Sequence, residues 1–240
     1  MEYLDKSHDT DSCKDVWDLL YKKVYKSIIK EFFDLSTFSD KETNKNCKRY
    51  YLKLNKELME ESRCKKFKIA GDCDFNFNSK KVTLFRKLLL VNNELTVEDK
   101  EYLSNCSNMH HNFVNFSFMP ITGALNNKKG TSKHPEEAKS LDRFDYFINM
   151  LNDYYTTGNE MIFMKFNKEP LKWYLGKFND IYDYCEKIYL IDDKDFVDEI
   201  IDSGKKAIIT RESALNYMKL AQKYWTKRRE KMKSYGVFFD

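Results

Sequence analysis

Apolar side chains recur at helical spacing at both ends of the chain, and this period constrains the fold more than any other feature of the sequence. Near the amino terminus the pattern repeats every four residues, at Val16, Leu20, Val24, Ile28 and Phe32. It predicts an amphipathic helix over residues 13–35, and a similar pattern predicts a second helix over residues 46–63. The 240 residues include only seven Gly and three Pro, too few for the many tight turns of an all-β fold.

The second half of the chain continues the helical period. Four helices are predicted there, with these limits: Leu141 to Gly158, Pro170 to Ile188, Lys194 to Ser203, and Thr210 onwards. Gly158 and Gly204 are typical of helix C-termini, and Pro170 is typical of a first helical turn. The last helix is expected to turn Trp225 towards the core.

The period changes in the middle third of the chain. Cys73, Phe75 and Phe77 alternate with polar residues, which predicts a strand with one face in water. A second strand is predicted from His111 to Met119, where the apolar residues have high β-propensity. The apolar run from Val82 to Val91 fits either a helix or a strand.

Together these elements predict a helix-dominated α+β fold. A small central β-sheet from the middle third would be packed by helices from the N-terminal and C-terminal parts. The hydrophobic fraction of 42% and the aromatic fraction of 15% are enough for a sizeable core. We expect a single globular domain over residues 1–240, with residues 1–11 flexible.

The sequence favours a cytoplasmic protein without a membrane partner. The first residues lack the apolar core of a secretory signal, and no stretch of about 18 apolar residues occurs. The cysteines are scattered along the chain, at positions 13, 47, 64, 73, 106 and 185. This spacing favours reduced thiols over a disulfide framework. No cofactor is predicted.

Charge is distributed unevenly near the carboxyl terminus. Residues 177–202 contain nine acidic residues and three lysines, whereas residues 211–240 contain eight basic and three acidic residues. One interpretation is that the two blocks neutralise each other in the fold. The other is that Lys223, Lys227, Arg228 and Arg229, which surround Trp225, bind a single-stranded nucleic acid or an acidic protein. Helical spacing favours mutual neutralisation, because it places the lysines on a solvent-exposed face of the helix and turns the tryptophan towards the core.

Residues 120–139 are predicted to be a long polar loop with a binding role, since they contain two Gly and two Pro. Five of its side chains can donate hydrogen bonds to a phosphate or an anionic partner: Asn126, Asn127, Lys128, Lys129 and Lys133. The spacing of the glycines does not match a Walker phosphate-binding loop.

Asp72 and Asp74 begin a run in which oxygen-bearing residues alternate, as at the start of a calcium-binding loop. The sixth position, however, is Phe77 where such a loop has Gly, and the twelfth is Thr83 where it has a bidentate Glu. A strand with a polar face explains the same spacing, so no metal is predicted, and Asp72 and Asp74 remain the candidates for one.

Two adjacent histidines, His110 and His111, are the candidate general bases, because imidazole titrates near neutral pH. In a hydrolase acting on RNA or another phosphate ester, Lys128, Lys129 or Arg143 would stabilise the developing negative charge. On a strand the two histidines would point to opposite faces, so only one of them would enter a pocket. A hydrogen-bonded structural role is the alternative for either.

One resemblance rests on several short motifs. Phe118-Met-Pro-Ile-Thr-Gly123 with Asn127-Lys128, then Asp142-Arg143-Phe144 and later Tyr224-Trp225, resemble an uncharacterised group of bacterial proteins over roughly residues 70–230. The resemblance implies no activity.

The leading hypothesis for function is a non-enzymatic protein that binds a nucleic acid or a protein through the 120–139 loop and the basic C-terminal helix. The hydrolase described above is the second hypothesis. A third is an inhibitory or structural partner of a host or viral protein.

Overall fold

The computed structural model describes backbone and side chains for residues 23–25, 73–117, 143–161, 164, 168–169 and 171–237. It describes the backbone alone for residues 2–4, 21–22, 38–39, 43–44, 47–48, 50–52, 67–72, 118–120, 170 and 238–239. Among the helices in these ranges, none combines the length and the apolarity needed to cross a bilayer.

Helices dominate the described part of the chain, as the apolar period predicts. The α-helices are α1 (Ser79–Leu89), α2 (Val97–Met109), α3 (Phe144–Thr157), α4 (Lys168–Leu175), α5 (Ile181–Tyr184), α6 (Lys194–Gly204) and α7 (Arg211–Ser234). Two π-helical segments, Tyr21–Tyr25 and Cys185–Tyr189, and a 3₁₀ turn, Phe113–Asn115, accompany them. The open choice over Val82–Val91 is therefore resolved largely in favour of a helix.

The strands are short and mostly lie in the first half of the chain. They are β1 (Glu2–Leu4), β2 (Phe38–Ser39), β3 (Thr43–Asn44), β4 (Cys47–Lys48), β5 (Tyr50–Leu52), β6 (Phe67–Cys73), β7 (Phe116–Pro120) and β8 (Val237–Phe239). β6 pairs antiparallel with β5 and β7, β2 pairs with β5, and β1 pairs parallel with β8. A central sheet that organises the fold is not supported, because the described part of the middle third contributes only β7 to these strands and otherwise forms mainly helices α1, α2 and α3.

Three predicted elements in the first half of the chain need correction. The helix expected over residues 46–63 is wrong at its start, where β4 and β5 are strands. The rest of this predicted helix lies outside the described residues. Most of the helix predicted over residues 13–35 lies outside them as well. The strand expected through Phe77 ends at Cys73, because the Phe75 backbone bonds to the Asn115 side chain through both its N–H and its carbonyl, at 2.9 and 2.8 Å. The second strand begins at Phe116, not at His111.

Local sequence signals account for the helix boundaries. Thr96 and Asp99 form a capping box at the start of α2, and Thr210 and Ser213 form one at the start of α7, so each side chain satisfies a backbone N–H that has no partner within the helix. Gly158 ends α3 in the left-handed conformation, with φ of 74°, as the sequence predicts. The helix predicted from Pro170 to Ile188 is instead divided into α4, α5 and a π-helical segment, although its apolar stripe is buried throughout.

Aromatic rings fill the centre of the core. Phe75 lies with its ring centroid 4.8 Å from that of Phe144, 5.3 Å from Tyr217 and 5.2 Å from Tyr224. These distances are typical of favourable aromatic contacts. The rings join the segment that follows β6 to α3 and α7, so the core connects this part of the chain to its C-terminal helices. Cys73, Cys106 and Cys185 are buried and form no disulfide, which agrees with the expectation of reduced cysteines for these three.

Candidate functional site

Helix α7 carries most of the basic residues that the sequence offers for binding, and each side of it has a different environment. One side pairs its lysines with acidic residues of α6 and the turn before it. A second side is buried in the core. The third side borders a groove against α2, which is the candidate functional site.

Three lysines of α7, Lys223, Lys227 and Lys231, form a lysine stripe that is paired with acidic residues of the same molecule. Lys223 is paired with Glu199, Lys227 with Asp193 at 2.5 Å and Lys231 with Asp192 at 2.7 Å. Lys223 and Lys227 also lie over the Phe196 ring, 4.8 and 5.5 Å from its centroid. The acidic and basic blocks of the sequence thus face each other, and the predicted binding lysines Lys223 and Lys227 are engaged in intramolecular contacts.

Arg228, the third predicted binding residue of this helix, is completely buried. Its guanidinium donates to the Asp74 carboxylate, to Ser117 Oγ at 2.6 Å and to the Tyr224 hydroxyl at 3.0 Å. It also donates to Tyr25 OH at 2.9 Å and to the carbonyl of Phe116. Arg228 therefore adds no charge to the surface and instead connects four segments of the chain.

The buried cluster around Arg228 also explains Asp74, one of the two candidate metal ligands. Asp74 is fully buried and accepts hydrogen bonds from Ser117 Oγ at 2.6 Å and from Tyr224 OH at 2.7 Å in addition to the arginine. The expectation that Asp74 lies on a wet strand face is wrong, because this carboxylate is the counter-ion of Arg228. Among the described residues, no three His, Cys, Asp or Glu side chains are grouped to hold a metal ion. Asp72 is paired with Ser117 in the strand ladder.

Burial is the largest single influence on the pKa values of Tyr224 and Arg228 in this cluster. It raises the pKa of Tyr224 well above the usual value for tyrosine, although the nearby Arg228 opposes the shift. Burial alone would lower the pKa of Arg228, but Tyr224, Tyr25 and Asp74 outweigh it and raise that pKa. The cluster accordingly holds a charged arginine and a neutral tyrosine at neutral pH, which suits a structural role.

Arg143 is likewise buried and belongs to the packing of α6 on α3. Its Nε and Nη2 atoms donate to the two carboxylate oxygens of Asp145, each at 2.7 Å. Nη2 also donates to the carbonyls of Ser203 at 3.3 Å and Lys206 at 2.9 Å. Ser203 Oγ completes the contact by donating to Asp145 at 2.7 Å. These bonds occupy the guanidinium that the hydrolase hypothesis assigns to transition-state stabilisation.

His110 and His111 lie at the end of α2 and in the turn after it, not on a strand. Their rings are adjacent, with centroids 4.2 Å apart, so the expectation that they point to opposite faces is wrong. The Nδ1 atom of His110 accepts a hydrogen bond from the backbone N–H of Phe77 at 3.3 Å. The two histidines and Arg143 therefore have different sets of partners, and the cavities described below are not lined by either histidine.

The groove between α2 and α7 consists of two adjoining cavities. One has a volume of about 340 Å³ and the other of about 290 Å³, and both are lined by Asn105 and Gln222. We name this surface the α2–α7 groove, and it comprises Glu98, Glu101, Tyr102, Asn105, Asn108, Met109, Gln222, Trp225, Thr226 and Arg229.

The two helices that form the groove run in the same direction. At their N-termini Arg211 binds both carboxylate oxygens of Asp99, at 2.8 and 2.9 Å. Further along, Lys219 lies over the Tyr102 ring, 5.7 Å from its centroid, and Met109 at the end of α2 shares a cavity with Arg229. The groove therefore has an end at Glu98 and Glu101 and another at Arg229.

Trp225 forms part of the groove floor and is held in place by the core. It is buried, and its indole N–H donates to Asn115 Oδ1 at 2.8 Å. The prediction that Trp225 turns inward is confirmed. Beneath Gln222, burial raises the pKa of the Cys106 thiol to about 12, with the Gln222 amide and Lys81 as smaller opposing influences.

A larger open cleft of about 870 Å³ lies on the opposite flank of α7, against α6. Its walls carry acidic residues from α6, including Asp195, Asp198 and Asp202, together with Lys219 and Lys223 of α7. Both signs of charge line this cleft, and its lysines take part in the contacts described above.

The sequence predictions name Arg229 of the groove but none of its amides. Helix α2 was not predicted, because its apolar residues are sparse and only Asp99, Leu103 and Cys106 are buried. The Thr96-Val-Glu-Asp99 capping signature was the available signal. The predicted loop residues Asn126, Asn127, Lys128, Lys129 and Lys133 lie outside the described residues.

Comparison of the chain with protein-family models, with curated proteins and with solved structures finds no match. The resemblance to a group of bacterial proteins accordingly stays a prediction.

Proposed function

We propose that the protein is a binding module that recognises another protein through the α2–α7 groove. The observation that carries this proposal is the composition of the groove. Three side-chain amides, from Asn105, Asn108 and Gln222, line it together with the guanidinium of Arg229. Amides offer both hydrogen-bond donors and acceptors, which suits recognition of a polar chain more than a chemical step.

Charge supports a protein partner over a nucleic acid. Binding to a nucleic acid depends on several cations that neutralise phosphates, but the lysine stripe is paired with acidic residues and Arg228 is buried. The groove itself is lined by Glu98 and Glu101 as well as Arg229. Its mixed charge matches a polypeptide better than a polyanion.

This proposal revises the contact surface expected from the sequence and keeps the class of function. The basic helix contributes through its Arg229 side, not through its lysine stripe. A cytoplasmic location and a bacterial source remain parts of the proposal that come from the sequence alone. The hydrolase hypothesis receives no support from the described geometry, since Arg143 is committed to Asp145.

A site-specific photo-crosslinker tests the proposal. We would place a benzophenone amino acid at Thr226, which is exposed in the groove, and in a matched protein at Thr156, which is exposed on α3. In cells of the source organism, we expect a discrete crosslinked protein from position 226 that survives nuclease and is absent from position 156. A crosslink that is lost on nuclease treatment, or identical products from both positions, would contradict the proposal.

A further inference from the structure

We infer that the protein forms a weak two-fold dimer through the end of the molecule at which α1 ends and α2 and α7 begin. This surface, which we name the apolar end, consists of the exposed aliphatic side chains of Leu90, Val91, Val97 and Ile209. The inference goes beyond the proposed function and does not depend on it, because the crosslinking position Thr226 lies in the second half of α7, away from the apolar end.

The large hydrophobic side chains that are exposed in the described part of the chain are grouped at this end. Val97 is 82% exposed and Ile209 is 59% exposed, while Leu90 and Val91 are 41% and 47% exposed. Single exposed aliphatic side chains are ordinary on a protein surface, but a group of them in one place indicates a contact surface. The grouping therefore indicates that the apolar end is covered by a partner.

An ion pair brings Val97 and Ile209 to the same end of the molecule. Val97 is the first residue of α2 and precedes Asp99 closely, and Ile209 precedes Arg211, the first residue of α7, in the same way. Arg211 donates to both carboxylate oxygens of Asp99, at 2.8 and 2.9 Å. The starts of the two helices are therefore held side by side, with an exposed aliphatic residue on each.

A tight turn holds Leu90 and Val91 beside the start of α2. The backbones of Val91 and Glu94 exchange two hydrogen bonds of 2.9 Å. Between them Asn92 and Asn93 adopt the left-handed conformation, with φ of 50° and 64°, as a two-residue turn of this kind requires. The turn and the ion pair fix the apolar end before a partner arrives, so little conformational entropy is lost on binding.

Charges of both signs flank the apolar end. Arg86 and Lys87 are exposed on the last turn of α1, and Glu94 and Glu98 are exposed in the turn and at the start of α2. The ion pairs and side-chain hydrogen bonds among the described residues do not involve these four side chains, in contrast to the lysine stripe of α7. Lys100, which is exposed on the first turn of α2, offsets part of the acidic charge.

The arrangement of these charges is complementary to itself. The basic side chains belong to α1, and the acidic ones belong to the turn and to α2, so the two signs occupy different sides of the apolar end. In a two-fold dimer both copies use the same surface, so the α1 side of each copy faces the Glu94 side of the other. Opposite charges then meet twice while the aliphatic side chains meet at the axis. This match favours a second copy of the chain as the partner.

Sedimentation velocity of the full-length protein tests the inference. The interface is small, and small interfaces are transient, so we expect a monomer at about 1 µM and a reversible shift to a dimer at on the order of 0.1 mM. Val97→Glu should stay monomeric across this range. An acidic residue is favoured at the first position of a helix, so the unfolding midpoint of this variant should not fall. Ile209→Asp is a second variant with the same expected result.

Ser79→Glu is the matched control for Val97→Glu. Ser79 is the exposed first residue of α1, so this change also adds a glutamate at a helix start, but at the end of α1 that lies away from the apolar end. It should leave the dimer unchanged.

Two charge reversals test whether the partner is a second copy. In Arg86→Glu and in Glu94→Arg each copy meets like charge on the other, so each variant alone should dimerise about three- to tenfold more weakly at low salt. An equimolar mixture restores opposite charges at both contacts and should dimerise about as tightly as the wild-type protein. A fluorescent label on one of the two variants follows the mixed dimer.

A wild-type protein that stays monomeric at the highest concentration, or a Val97→Glu variant that dimerises like the wild type, would overturn the inference. So would a mixture that associates no more than its two components do. Growth beyond a dimer would also contradict it, because a two-fold contact closes on itself. Flotation of the monomer with phosphatidylcholine and phosphatidylglycerol vesicles, lost in Val97→Glu, would show that the apolar end meets a lipid surface instead. The crosslinking test of the proposed function is unaffected by any of these outcomes.

Discussion

Asp74 and Arg228 form an ion pair in which both side chains are completely buried, and they are separated by 154 residues in the sequence. Ser117, Tyr224 and Tyr25 surround the pair and bond to the guanidinium. Tyr25 in turn donates to the carbonyl of Ile188 at 2.8 Å. The pair therefore connects the N-terminal π-helical segment, the segment that follows β6 and helix α7.

Removing one member of this pair should destabilise the protein strongly. Arg228→Met leaves the Asp74 carboxylate without its counter-ion in a site that water does not reach, and such changes cost about 3–5 kcal/mol. Urea unfolding followed by tryptophan fluorescence measures the loss. Arg228→Lys keeps a charge but cannot reproduce the fork of hydrogen bonds, so we expect an intermediate loss.

The double variant Asp74→Leu with Arg228→Met separates the charge from the packing. If desolvation of an unpaired charge causes the loss, the double variant should be more stable than Arg228→Met alone. A double variant whose loss equals the sum of the two single losses would instead show that the pair is not energetically coupled.

Helix periodicity was sufficient to predict α3, α6 and α7, whereas the long-range polar contacts of the core were not predictable. The limits of α6 and α7 follow from Gly204 and Thr210, because helix ends depend on nearby residues. Asp74 was placed on a wet face because alternation considers only the residues beside it. Its actual environment is set by Arg228, which no local pattern connects to it.

In the candidate site, too, local sequence signals were readable and the effects of long-range packing were not. Arg229 was identified from the charge of its own segment, whereas Asn105 and Asn108 were missed because α2 has a weak apolar stripe. Arg228 and Arg229 are adjacent in sequence, but Arg228 is buried in the core and Arg229 lines the groove. The direction of each side chain depends on how α7 packs, which composition does not specify.

Gly204 is required for the close packing of α6 on α3. A Cβ atom at this position would lie 2.3 Å from the carbonyl oxygen of Asp145 and 2.9 Å from the Cβ of Asn149. Gly204→Ala should therefore destabilise the protein by about 1–3 kcal/mol, even though Ala is the better helix former. Chemical denaturation measures the effect, and the adjacent exposed variant Lys205→Ala should change stability by less than about 0.5 kcal/mol.

The lysine stripe should make stability depend on acid pH. A hydrogen bond from Lys231 lowers the pKa of Asp192, and one from Lys227 lowers that of Asp193, from an ordinary value of 3.8. This contribution is present above the unfolded-state pKa and is lost as the pH falls through the lower folded-state pKa. The variant Lys227→Met with Lys231→Met should consequently unfold at a higher pH in an acid titration at low salt.

Lys87→Met is the control for this titration, because Lys87 is an exposed lysine on α1. It should leave the acid midpoint unchanged. The difference between the stripe variant and the wild-type protein should also shrink at high salt, since both ion pairs are partly exposed. An unchanged acid midpoint in the stripe variant at low salt would show that these pairs do not contribute.

The Cys106 thiol should react very slowly with alkylating reagents in the native protein. Burial raises its pKa to about 12, so at pH 8 only about one molecule in ten thousand carries the reactive thiolate, against a substantial fraction for an ordinary cysteine. Alkylation followed by peptide mapping should show Cys106 modified roughly a thousandfold more slowly in the native protein than in urea. Rapid native labelling would mean that helices α2 and α7 separate readily at Gln222, in which case the groove between them is not the rigid surface that peptide binding requires.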